Sequence, residues 1–243
     1  MIRAIMDFNG ILLIDKPQEW TSHDVVAKMR GILHTRRIGH AGTLDPLATG
    51  LLVVLVGSAC KASQYLMSQE KAYAGTLRLG VVTNSQDADG EIVATNPVPA
   101  DLTSEKIAAA MKAMEGDQYQ IPPMFSAIKV NGVPLYKAAR KGQDIPRDKR
   151  FIRIAKFEMR GRRDNDVDFF VECSKGTYVR TIAHDLGAKL GVGAHLAALR
   201  RTASGKFTID GAISLEKLQA LSPAEISARL LPVAEYVPSV ALC

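Results

Sequence analysis

The sequence predicts an α+β fold, and three observations carry that prediction. Short strand-like runs alternate irregularly with helical stretches, without internal repeats or low-complexity tracts. Of the 243 residues, 47% are hydrophobic and 23% charged, the balance of a globular protein with material for a sizeable core. The length suits one large domain or two small ones.

Taken in order, the extended candidates are residues 10–15, 51–56, 72–80, 151–159 and 167–173. A helix begins at Ser22, with Val25, Met29 and Leu33 on one face. A second starts at Thr103, and its Ala-rich run ends at Gly116, a residue suited to a C-terminal cap. A third covers 177–190, where Val179, Ile182, Ala183, Leu186 and Leu190 recur at helical spacing, which aims them at the core and leaves Tyr178 and Arg180 to either side. Near the end, Ser222-Pro223-Ala224-Glu225 combines a capping box with proline at the first helical position and starts a last short helix.

Charge bounds the partners. The 31 Lys and Arg outweigh the 25 Asp and Glu, for a net +6 and a moderate bias toward polyanionic partners such as nucleic acid or an acidic membrane. That bias is local: residues 129–163 hold twelve Lys and Arg, among them Lys129, Lys137, Arg140 and Lys141, against Asp144, Asp148 and Glu158, a balance of +9 that leaves −3 for the remainder. Tyr136, Phe151 and Phe157 are interleaved there, with turns at Asn131-Gly132 and Ile145-Pro146. The composition suits a surface tracking a phosphate backbone, and equally a plain solvated face.

Cys60, Cys173 and Cys243 are odd in number and far apart, which fits reduced thiols and argues against a disulfide framework, with core packing the plain reading for Cys60 and Cys173. No HxxxH or CxxC spacing is present, so no metal site is expected. The longest apolar run, 51–56, falls far short of the ~20 residues of a membrane helix. Without a secretory leader, cytoplasmic residence is the expectation.

The most informative stretch is His40-Ala41-Gly42-Thr43-Leu44-Asp45-Pro46-Leu47-Ala48-Thr49-Gly50. A carboxylate precedes proline in a loop bracketed by glycines and feeds the apolar run 51–56. Pro46 biases Asp45 toward extended geometry, while Gly42 and Gly50 permit close backbone approach by a ligand or by another part of the chain. Alone, an Asp-Pro pair is more often a turn device than a nucleophile, by roughly five to one.

The stretch GHAGTLDPLATGLL resembles the active-site motif of the TruB-type tRNA pseudouridine synthases, which isomerise uridine 55 in the T loop of tRNA. Further segments agree in order: GILLIDKP at 10–17, KAYAGTLRLG at 71–80, DADG at 87–90, IPPMFSAIKVNGVPLYKAARKG at 121–142, CSKGTYVRTIAHDLG at 173–187 and GAHLAALRR at 193–201. The resemblance covers residues 10–210 and implies a pseudouridine-synthase fold: a mixed, mainly antiparallel central sheet, flanking helices and a thumb-like RNA-binding insertion at about 120–150. It implies a catalytic domain over 1–210; residues 211–243 are then a short helical extension, too few for the PUA-type domain that most relatives add.

The resemblance also assigns roles. Asp45 is the nucleophile, and Arg180 is the arginine paired with it, whose charge favours the ionised carboxylate. Tyr73 stacks on the target base and is a candidate acceptor for the C5 proton. Tyr178 and Leu199 line the uridine pocket, His40 contacts the rearranged T loop, and Lys16 and Pro17 are scaffolding beneath the active-site loop. Asp87 to Gly90 reads as a turn. Lys129, Lys137, Arg140 and Lys141 belong to the insertion that closes over the tRNA arm. The uridine is flipped out, loses its N1 to C1′ bond, turns over and re-bonds through C5, an isomerisation that balances without a cofactor. The implied partner is the T arm and elbow of tRNA, with the protein acting as a monomer. Two departures stand out: Glu19 occupies the glycine of DKPxG, and Phe125 the tyrosine of PPMYS. An RNA-folding factor with incidental catalysis, and a synthase acting on another RNA, are the alternative readings.

Overall fold

The computed structural model describes residues 8–130 and 132–239, so the turn residue Asn131 and the third cysteine, Cys243, lie outside the described residues. The chain begins with β1 (Gly10–Lys16), α1 (Ser22–Leu33), β2 (Ile38–His40), β3 (Thr49–Val56), α2 (Ser63–Met67) and β4 (Lys71–Leu79). It continues through β5 (Val81–Thr83), β6 (Ile92–Thr95), α3 (Ser104–Lys112), β7 (Gly116–Gln120), β8 (Lys129–Val130), β9 (Val133–Pro134) and α4 (Leu135–Ala139). The remainder is β10 (Arg150–Arg163), β11 (Asp166–Cys173), α5 (Val179–Lys189), β12 (Ala194–Ser204), β13 (Phe207–Thr208), β14 (Ile213–Ser214), α6 (Leu215–Ala220) and α7 (Pro223–Arg229). No helix among the described residues is long and apolar enough to cross a membrane.

The chain divides into two compact units. One holds the described residues up to Tyr73 together with those from Arg200 onward; the other holds Ala74–Leu199. The chain passes between them within β4 and within β12.

In the first unit the strand order is β14-β1-β3-β12, with β2 on β3 and β13 on β12. β1 and β3 are antiparallel, Gly10 facing Val56 and Lys16 facing Gly50, whereas β14 joins β1 and β12 joins β3 in parallel. Both faces of β1 and β3 are covered. Leu12, Ile14, Leu52, Val54 and Val56 pack against Val25, Met29 and Leu33 of α1 and against Leu218 and Ile226 of α6 and α7. Ile11, Leu13, Leu51, Val53 and Leu55 pack the other way, against Leu66 of α2 and Phe207. Burial on two sides is why residues 51–56 read as an unbroken apolar run instead of an alternating one. Each of these side chains contributes about 1.5–3 kcal/mol on leaving water.

The second unit is mainly antiparallel, in the order β4-β11-β10-β7, with separate hairpins β5-β6 and β8-β9. Phe157 and Phe169 meet edge to face across β10 and β11, with ring centroids 5.6 Å apart. β10 runs longer than the apolar pattern predicts, reaching Arg163 through register shifts at Ile154/Lys156 and Met159/Gly161 that carry its polar end onward. Two helix ends also differ from the sequence reading. Gly116 does not cap α3, which ends at Lys112 with Ala113 as its C-cap; with φ +102 it turns the chain into β7. α5 begins at Val179, after the expected Thr177, because Gln120 holds the Tyr178 peptide extended from both sides: Tyr178 N donates to Gln120 Oε1 at 2.8 Å and Gln120 Nε2 donates to Tyr178 O at 3.1 Å. Cys173 is buried, and burial raises the half-buried Cys60 thiol above its usual pKa.

Candidate active site

In the first unit the loop joining β2 to β3 carries Asp45, half-buried, and every carbonyl on either side of it is engaged. Gly42 O accepts from Arg201 Nη2 at 3.1 Å and Thr43 O from Arg201 Nη1 at 3.5 Å. Leu44 is held twice by Ser22 at the start of α1: its N–H donates to Oγ at 2.8 Å, and Oγ donates to its carbonyl at 3.2 Å. Asp45 O accepts from Ala48 N at 3.1 Å, and Pro46 O from Glu19 N at 2.9 Å and Lys16 Nζ at 3.4 Å. Five consecutive carbonyls are thus satisfied by β1, α1, β12 and the loop itself. A backbone so constrained fixes the point from which the Asp45 side chain projects before a substrate arrives.

The glycines around the loop do what their positions predict. Gly50 has φ +96, and a Cβ there would sit 2.4 Å from the Arg201 carbonyl; Gly42 has φ +114, with Arg201 Nη1 3.5 Å from the place of its Cβ. The close approach is made by Arg201 of β12.

Positive charge surrounds the loop. Lys16 is fully buried, its Nζ donating to Pro17 O at 2.9 Å and Trp20 O at 2.5 Å as well as to Pro46 O. Burial lowers its pKa to about 8, with the Asp45 charge opposing the fall and the Arg201 charge adding to it. His40, at the end of β2, is pushed below its usual value by burial and by the neighbouring charges of Arg201 and His23, so the neutral ring is favoured. Tyr73, on β4, is buried and hydrogen-bonded through its side chain to Arg201. Asp45, His40 and Tyr73 therefore share one charged surrounding.

The second unit holds the other expected residues. Arg180, on the first turn of α5, is 5% exposed; Nη1 donates to Ser85 O at 3.1 Å and Nη2 to Phe125 O at 2.9 Å. Within this unit its carboxylate partner is Asp87, 3.3 Å away and equally buried. The turn at Asp87 is therefore more than a chain reversal. Ser85 Oγ donates to Asp87 Oδ1 at 2.5 Å, Thr181 Oγ1 donates to Gln86 Oε1 at 2.8 Å, and the backbone of Gln86 and Ala88 pairs with Leu196 of β12. Gln86 takes the left-handed φ of +67 between them, a conformation that non-glycine residues adopt only when the surroundings impose it. Tyr178 caps α5 and is half-buried, as is Leu199 on β12. Lys129, Lys137, Arg140 and Lys141 are exposed on β8 and on or just after α4, where Arg140 lies over the Tyr136 ring, 5.6 Å from its centroid.

Sequence reasoning missed Asp87 and Arg201. Asp87 stands in a quoted motif, but its link to Arg180 spans the second unit. Arg201 is the second of two adjacent arginines, and nothing local marks it for burial.

Comparison with known proteins identifies the family. A family model described as "TruB family pseudouridylate synthase (N terminal domain)" matches residues 30–179, and one described as "tRNA pseudouridylate synthase B C-terminal domain" matches residues 180–237. The chain is 57% identical over 240 residues to tRNA pseudouridine synthase B of Opitutus terrae, covering 99% of each, and 47% identical over 238 residues to that of Syntrophotalea carbinolica, covering 97% of this chain and 78% of the relative. Among solved structures, it is similar to a chain of the crystal structure of a Cbf5-Nop10-Gar1 complex (TM-score 0.74, 31% identity, 95% of this chain and 62% of that one). It is also similar to a chain of an H/ACA RNP bound to a substrate RNA containing 2′-deoxyuridine (TM-score 0.68, 28% identity, 96% and 61%). It spans less than two thirds of either of those chains. With the family model matching residues 30–179, and with similarity running the length of both sequences in the Opitutus relative, the chain belongs to the TruB family of pseudouridylate synthases.

Proposed function

We propose that this protein isomerises uridine 55 in the T loop of tRNA to pseudouridine, with Asp45 as the nucleophile. The observation that supports this reading is the Asp45 loop, whose five engaged carbonyls present a carboxylate amid the buried cations Lys16 and Arg201. A binding-only protein has no use for a fixed carboxylate beside RNA phosphate, where like charge repels. In the reaction the N1 to C1′ bond breaks, the uracil turns over, C5 bonds to C1′, and the C5 proton leaves while N1 gains one. A carboxylate suits such a sequence because it can form a bond to sugar or base and release it again.

Arg180 supplies positive charge, Tyr73 supports the flipped base, and Tyr178 and Leu199 line the uridine pocket. His40, neutral and half-buried, meets the rearranged T loop. The exposed Lys129, Lys137, Arg140 and Lys141 meet the phosphates of the T arm and elbow, a mode of recognition by RNA shape. The protein acts as a monomer in the cytoplasm.

The test is tritium release from unmodified tRNA bearing 5-tritiated uridine. Wild type is expected to release label only when position 55 is uridine and not cytidine. Asp45→Asn is expected to be slower by a factor on the order of 10³ or more while binding tRNA within a few-fold of wild type. Turnover near wild type in that variant overturns the nucleophile, and tight binding without release by wild type favours an RNA-folding factor.

A further inference from the structure

Arg201 is the largest fully buried side chain among the described residues, 1% exposed on β12. Its Nε donates to Leu51 O at 2.6 Å, beside the contacts of Nη2 with Gly42 O and Nη1 with Thr43 O. The guanidinium is also hydrogen-bonded to the Tyr73 side chain, whose charge favours the protonated arginine against a burial that disfavours it. Desolvating a guanidinium is costly, and an apolar side chain of similar length would fill the same space. Three of these partners are carbonyls that stay neutral. The fourth is a phenol, which can become an anion.

The charged and titratable groups around the pair come from every neighbouring element of this unit. Lys16 on β1 interacts with Asp45 and Arg201, and His40 on β2 with Arg201 and with His23 of α1. Lys71 on β4 lies near Gly42, with Cε 3.9 Å from the place of a Cβ there, and its Nζ donates to Met67 O at 2.6 Å and to Gln69 O. Asp45, Tyr73 and Asp24 of α1, whose charge acts on Lys16 and His23, are the groups in this set that can carry negative charge.

We infer that Arg201 is a positioning residue of the isomerisation: one guanidinium sets the Asp45 loop through Gly42 and Thr43 and holds the Tyr73 oxygen as the acceptor of the C5 proton. Its catalytic consequence rests on the isomerase reading above. In the last step the C5–H bond of the re-bonded base breaks and the proton passes to the Tyr73 phenolate. The electron pair left behind re-forms C5=C6, and the C6=N1 pair moves onto N1, which takes a proton from water. A charge-assisted hydrogen bond from Arg201 stabilises the phenolate that this step requires.

The first test needs no RNA. Ultraviolet titration of wild type against Tyr73→Phe isolates this phenol from the other five of the six tyrosines. Tyr73 is expected to ionise below the ~10 of an ordinary tyrosine, and to move up by about one pH unit or more in Arg201→Met. Ionisation at or above the ordinary value in wild type overturns the inference, and that measurement stands even where Arg201→Met fails to fold. The second test is single-turnover tritium release. Arg201→Lys keeps the charge and loses the fork. It is expected to slow the reaction roughly tenfold with the tRNA Kd within about threefold, and Arg201→Met by roughly a hundredfold, with the rising limb of its pH–rate profile displaced to higher pH. A lowered plateau with the limb unmoved, or a loss confined to tRNA affinity, is what a merely structural arginine would give. Absence of release by wild type counts against the isomerase reading and leaves the phenol titration intact.

Discussion

Glu19 stands where the family motif has glycine, and its backbone takes φ +68, with its N–H on the Pro46 carbonyl of the active-site loop. An L-residue in this left-handed region is disfavoured by roughly 1–2 kcal/mol, against a somewhat smaller entropic cost for glycine. Glu19→Gly is therefore expected to raise stability slightly, by about 0.5–1 kcal/mol, in urea unfolding followed by circular dichroism. A loss of stability would mean that the glutamate side chain itself supports the turn. The buried pair of Arg180 and Asp87 belongs to the same scale. Its parts are ordinary, but two buried charges with hydrogen bonds to Ser85 and Phe125 fix the geometry of the α5 start far more tightly than an exposed pair could.

At the scale of the element, α5 shows tertiary packing overriding propensity. Gly187 sits in the last turn of α5, where alanine is normally favoured by up to about 1 kcal/mol. A Cβ there would lie 2.1 Å from Ala194 N and 2.4 Å from Gly193 C, backbone atoms that cannot swing aside. The same glycine's carbonyl accepts from Val192 N and Gly193 N, so the turn leading to β12 is bound to this point. Gly187→Ala is expected to destabilise by roughly 2–3 kcal/mol, a fall in Tm of about 5–10 °C in calorimetry. A raised Tm would show that the turn can move away. The matching case in the first unit is Gly50, whose contact with the Arg201 carbonyl lets β12 lie directly on β3.

The whole molecule carries its charge unevenly, +9 within residues 129–163 against a total of +6. Part of that charge is neutralised locally, as in the Arg147–Asp144 and Arg153–Asp117 pairs, while Lys137, Arg140 and Lys141 stay exposed together. Replacing those three by glutamine is expected to weaken tRNA binding and to lower the slope of log K against log salt by roughly 2–3, about 0.7–0.9 for each phosphate no longer neutralised. Fluorescence anisotropy across a salt series checks this. An unchanged slope would place the RNA elsewhere on the surface.

The sequence by itself determined the elements with strong local signals and the loop, but not β12, which carries Leu199 and Arg201. An apolar run, a helical spacing, a capping box at Ser222 and Glu225, and glycines at 42 and 50 each act within a few residues, and each has its element or turn in the structure, with the start of α5 shifted from Thr177 to Val179. Tertiary structure decided which distant groups meet. Nothing in DADG names Arg180 as the partner of Asp87. Arg200 and Arg201 show the limit most clearly. They are chemically identical neighbours on one strand, and their side chains point to opposite faces. Arg200 pairs with Asp15 at 2.8 Å in contact with water, whereas Arg201 is fully enclosed. The choice between them is made by the register of β12 on β3, Arg200 beside Thr49 and Arg201 beside Gly50, and a register exists only once the two strands have met.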